Sequence, residues 1–148
     1  MDNADTKPLQ NSPVYEKIRR RLDNRLGAVF SSLYSFLIAR QATAGLQRDA
    51  NTIILHAQNA ESVCENDTTR SPDELLDLLL RNAPRDGNCF DVALKAAEKA
   101  ISKWWSNERP PVIIFLSDGI ASVSDNVVRK LFFNTAQKGC VSLRQVFN

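Results

Sequence analysis

The chain has 148 residues and lacks most of what catalytic and cofactor-binding folds are built from. It holds one histidine, His56, and five glycines. Neither G-x-G-x-x-G nor G-x-x-x-x-G-K-[ST] occurs, which excludes the usual phosphate-cradling loops. G-x-S-x-G is missing as well, so no nucleophile elbow is present. The three cysteines, Cys64, Cys89 and Cys140, are odd in number and show no C-x-x-C spacing. That argues against a disulfide framework or a zinc site and for free thiols in a reducing compartment.

No apolar run approaches the roughly 18 residues of a membrane span, and the polar start "MDNADTKPLQNSP" lacks the apolar centre of a signal peptide. A cytoplasmic location is expected. Excess charge of one sign is lacking too, the net value being +2. No broad field draws the chain to nucleic acid or an anionic membrane, and neither partner is expected. The basic run "EKIRRRLDNR" is offset in part by Glu16 and Asp23. It reads as a solvated helix face, with nucleic-acid or phospholipid binding the less favoured reading.

What is present is an ordinary globular composition, 43% hydrophobic and 24% charged, at a length that suits one domain. Residues 1–13 read as a disordered lead-in and 14–148 as the domain. From Val14 to about Gln41 the apolar positions Ile18, Leu22, Leu26, Val29, Phe30, Leu33, Phe36 and Leu37 recur at spacings of three and four, predicting one long helix. Gly27 sits in its middle, where a neighbour can approach closely. "TIIL" predicts a strand, and "ESVC" a second, edge strand. Ser71, Pro72 and Glu74 form the signature of a capping box with proline at the first helical position. "CFDVALKAAEKAISKWW" reads as an amphipathic helix with Phe90, Leu94, Ala97 and Ile101 on one side. Val112 to Leu116 is a buried-type strand, Ser124 caps a further helix, and "CVSLRQVF" starts a last strand. Strands alternating with helices predict an α/β fold whose sheet is mainly parallel and covered on both faces. Its binding crevice would lie beyond the carboxyl ends of the strands.

Asp118 falls at such an end, in "FLSDG". A carboxylate there serves either as a charge favouring the following helix or as an oxygen ligand for a hard cation such as Mg²⁺. The loop Arg85 to Cys89 is a second candidate for the same end. His56 comes near the end of its strand without an evident partner in sequence, and a structural role is the favoured reading.

"PVIIFLSDG" followed by "SVSD" resembles the fourth-strand region of the von Willebrand factor A (vWA) domain, in particular its intracellular fungal-type members. The likeness extends through "RLGAVFSSLYSFLIARQ", "SPDELLDLLL", "RDGNCFDVALKAAEKA" and "WWSNERPPV", and so covers most of Arg25 to Phe147. The resemblance implies a Rossmann-like fold that binds protein ligands through a metal-ion-dependent adhesion site. Asp118 matches the aspartate of that site's third loop. Asn88, in "DGNCF", stands where the family has a threonine, and D-x-S-x-S, the first loop, occurs nowhere.

The implied site is therefore degenerate, reduced to Asp118 and Asn88, with weak Mg²⁺ binding at most and no firm cofactor. The resemblance also implies a partial domain, clipped at both ends and without the family's first, central strand. The function it implies is non-enzymatic protein–protein interaction with an unidentified partner. Two alternatives stand beside it: a gene fragment without independent function, and a receiver-like or enzymatic α/β domain using Asp118. The second would need an acidic cluster, or a lysine and a hydroxyl, at the other strand ends, where the sequence offers His56, Gln58 and Asn59.

Overall fold

The computed structural model describes residues 8, 10–43, 49–87, 89–106, 109–116, 124–136 and 142–146. In chain order the elements are α1 (Tyr15–Arg19), α2 (Arg25–Thr43), β1 (Asn51–His56), β2 (Ala60–Asp67), α3 (Pro72–Leu79), α4 (Phe90–Trp104), β3 (Val112–Leu116), α5 (Asp125–Ala136) and β4 (Ser142–Val146). The mixed α/β class holds. These elements group into two compact units, one of Met1–Asp49 with Asp67–Arg85 and one of Ala50–Asn66 with Asp86–Asn148.

The first unit is helical. The long helix expected from Val14 to Gln41 is broken between Arg19 and Arg25, because Asn24 starts a new one. Its Oδ1 accepts the Gly27 N–H at 3.2 Å, three residues on, as a helix N-cap does. Gly27 makes the break fit: a Cβ there would stand 1.9 Å from the Leu22 carbonyl oxygen. The break also resets the helical phase. The inward face of α2 is Gly27, Phe30, Ser31, Tyr34 and Leu37, while Phe36, expected inside, is 41% exposed. Tyr34 can turn inward because its hydroxyl keeps a polar partner, Asp73 Oδ1, at 3.4 Å. Burial, and then the Asp73 carboxylate, push the Tyr34 phenol up from its usual range.

Helix α3 begins as its sequence predicts. Ser71 Oγ accepts the Glu74 N–H at 3.3 Å, and Glu74 Oε2 accepts the Ser71 N–H at 2.8 Å. Leu75, Leu76 and Leu79 are then buried with Ile18 and Phe30. Pro8, within the expected lead-in, is fully buried, and the chain turns at Ser12, whose carbonyl accepts the Tyr15 N–H at 3.0 Å. Residues 1–7 and 9 of that lead-in lie outside the described residues.

The second unit holds the strands, which form two separate two-stranded sheets. The single doubly wound sheet expected from the element order is not continuous among the described residues. β1 and β2 are joined by Ala57–Asn59, a link short enough only for an antiparallel hairpin. β3 and β4 pair in parallel, in register from Val112 opposite Ser142 to Leu116 opposite Val146, with α5 as the crossover. β1 and β3 are joined by side chains instead of backbone hydrogen bonds. His56 stacks on Phe115 with centroids 5.4 Å apart, and Phe90 packs edge-on to both, 5.9 Å from His56 and 5.1 Å from Phe115. Helix α4, which carries Phe90, packs on β1 and on α5.

Candidate functional site

Strands present alternate side chains to opposite faces. On β3, Phe115 meets α4 through Phe90, so Val112 and Ile114 point the other way. Both are open to solvent, at 61% and 42% exposure. A parallel strand ordinarily buries both faces, which is why its sequence reads as a continuous apolar run. β3 has that sequence without that burial. Its only strand partner among the described residues is β4, so one edge also lacks a strand neighbour.

At the carboxyl end of β1 the chain turns tightly, Ala57 N–H donating to the Asn59 carbonyl at 2.9 Å. The segment ahead of α4 closes onto this turn. Cys89 N–H donates to the Ala57 carbonyl at 3.0 Å. Gly87 has φ +124, and a Cβ on it would stand 2.7 Å from the Gln58 nitrogen. Only glycine takes that conformation in that space at low cost. A third segment arrives after β3: the Ser124 N–H donates to Asp91 Oδ1, in the first turn of α4, at 3.0 Å. Gly87 and Cys89 thus close onto the turn after β1, and the chain returning from β3 meets α4 at Asp91; the expected position beside Asp118 lies outside the described residues. The Asp91–Ser124 contact had no sequence signal.

Asp118 and Asn88, the two proposed metal ligands, lie outside the described residues, as does Cys140. Among the described residues no three of His, Cys, Asp and Glu come together as a metal site would require. Asp91 is engaged by a backbone amide. The described residues by themselves do not fit a Mg²⁺ ion, and no step is routed through one. His56 sits in the aromatic cluster with Phe90 and Phe115, which suits packing. Cys64 is a buried thiol and Cys89 a half-buried one.

Two carboxylates are held below the ordinary range. At Asp67 burial opposes ionisation, but the N–H groups of Arg70 and Thr69 and their side chains outweigh it, leaving the pKa at about 2. Oδ1 accepts from the Thr69 and Arg70 backbones at 2.9 and 3.0 Å, and the Arg70 guanidinium closes on Oδ2. That is a turn-stabilising cluster ahead of α3. Glu65 is held at about 2 by hydrogen bonds from Lys103 and Trp104, at 2.9 and 3.2 Å. Trp104 is exposed, whereas Trp105 is half-buried and its indole nitrogen has no partner among the described residues. No helix among the described residues is long and apolar enough to cross a membrane. No protein-family model matches the chain, and no curated protein matches it.

Proposed function

We propose that this chain is a non-enzymatic protein-interaction domain of the von Willebrand A type, Rossmann-like in fold, with a degenerate metal site at Asp118 and Asn88. One observation carries the reading. A strand with the sequence of a buried parallel strand leaves Val112 and Ile114 on an open face. An exposed apolar strand with an unpaired edge is the kind of surface on which an extended segment of another protein adds, its backbone completing the ladder and its alternate side chains covering the face. The motif order resembling the vWA family supports the type of domain, and the open β3 supports interaction as its use.

The test is capture of partners from a lysate of the source cells by the wild-type chain and by Val112→Lys/Ile114→Lys. Unfolding temperatures of the two must agree before the comparison counts. Partners held by the wild type and lost by the double variant support the reading. The same partners on both would sink it. Thermal unfolding in millimolar Mg²⁺ tests the metal site separately: an upward shift that Asp118→Ala abolishes means a working site and overturns its description as degenerate.

A further inference from the structure

The first unit contains an open cleft of about 650 Å³ between α1 and the end of α3. Arg20 and Arg21 line it from the end of α1, and Arg81 lines it from the turn after α3. Lys17 and Asp77 also line it, but they pair with each other at 2.8 Å across the two helices. Glu16, a further lining residue, is paired with Arg19 at 3.4 Å. Arg20, Arg21 and Arg81 have no carboxylate partner among the described residues. Three exposed arginines therefore line one cleft without a carboxylate partner among the described residues.

A solvated helix face accounts for Arg19 to Arg21 in sequence but not for Arg81, which comes from the turn after α3. Complementing helix carbonyl ends explains at most Arg81 after α3, since α1 has only five residues. The cleft also has apolar contact area, from the exposed Pro13, with Leu80 buried behind it.

We propose that this cleft docks an acidic peptide segment of a partner protein, its carboxylates meeting Arg20, Arg21 and Arg81 and an apolar side chain meeting Pro13. Guanidinium forks match carboxylates bidentately, which fits separate side chains along a peptide. A polyanion such as nucleic acid or an anionic membrane fits less well. Glu16 and Asp77 interrupt the basic lining, and a net charge of +2 provides no extended field. The proposal is independent of the β3 surface and survives its failure.

The experiment is fluorescence anisotropy of a fluorescein-labelled peptide of alternating Glu and Leu, titrated with the full chain at low salt. Saturable binding is expected. It should weaken by about tenfold or more in Arg20→Gln/Arg21→Gln/Arg81→Gln. Lys95→Gln/Lys99→Gln/Arg129→Gln, the same charge change at exposed positions of the second unit, should leave it nearly unchanged. Asp77→Asn, which releases Lys17, should tighten it and provides a second reading if the triple variant folds poorly. Absence of binding, equal loss in the two triple variants, or no tightening in Asp77→Asn overturns the proposal. So does displacement of the peptide by an equal concentration of inorganic phosphate, or stronger binding to an oligonucleotide or to phosphatidylserine vesicles.

Discussion

The two units solve the same problem, burial of apolar side chains, by different means. In the first, α2 and α3 carry their own instructions. Asn24 and Ser71 cap α2 and α3, and the apolar positions fall three and four apart. Ile18, Phe30, Leu75, Leu76 and Leu79 are all but fully buried. In the second, the strands depend on neighbours they do not encode. β3 leaves Val112 and Ile114 open, and Phe133 on α5 is 68% exposed. Exposed apolar residues on α2, Phe36 among them, need no special account. An open face on a buried-type strand does. The lesson is that helices close locally, whereas a sheet is finished only by what pairs with it and covers it.

The largest effect should separate the units directly. Phe30→Ala removes a buried ring from the first and should cost about 3–5 kcal/mol in denaturant unfolding. Ile114→Ala removes an exposed side chain from the second and should cost under about 1 kcal/mol. Equal costs would mean that β3 is covered and the contrast is wrong.

Gly87→Ala tests the one tight approach in the second unit. A positive φ and a Cβ too close to Gln58 predict a loss of about 1–3 kcal/mol. Unchanged stability would show that the loop yields and is not fixed by β1.

Ser71→Ala should cost the first unit about 1 kcal/mol through its lost cap. Hydrogen exchange should quicken most in the first turn of α3, and uniform quickening would deny α3 its local origin.

The smallest contrast lies at low pH. Asp67 and Glu65 both have folded pKa values depressed to about 2, below ordinary carboxylate values of about 4. Each contribution to stability is present above the unfolded value and lost as pH falls toward 2. Asp67 is buried and Glu65 exposed, so solvent screening weakens the second. Asp67→Asn should flatten the acid limb of stability between about pH 4 and 2, and Glu65→Gln should barely change it. The reverse order would place the stronger electrostatics in the second unit.

Several particulars were legible because their causes are local. The Ser71–Glu74 box, the strand at Val112–Leu116 and the α4 face led by Phe90 and Leu94 all follow from near neighbours in sequence. The break at Asn24 was not legible, because the Ile18-to-Leu37 stripe continues through it in pattern while the Asn24 side chain competes for the backbone. The inward turn of Tyr34 required Asp73, 39 residues away. Of the candidate site, the end of β3 at Asp118 lies outside the described residues. The closure of Cys89 onto Ala57 and the bond from Ser124 to Asp91 were not legible, since they join residues 32 and 33 apart.

The sequence by itself determined the α/β class, the order of helices and strands apart from the break at Asn24, and the chemistry available: one histidine, no phosphate loop, a basic run near the start. These depend on residue type and short-range periodicity. Tertiary structure alone decided that the described strands form two sheets, that β3 keeps an open face, and that Arg81 joins Arg20 and Arg21 at one cleft. Strand pairing, side-chain exposure and the lining of one cleft by charges from different segments depend on residues far apart in the chain, and no local pattern encodes a distance between them.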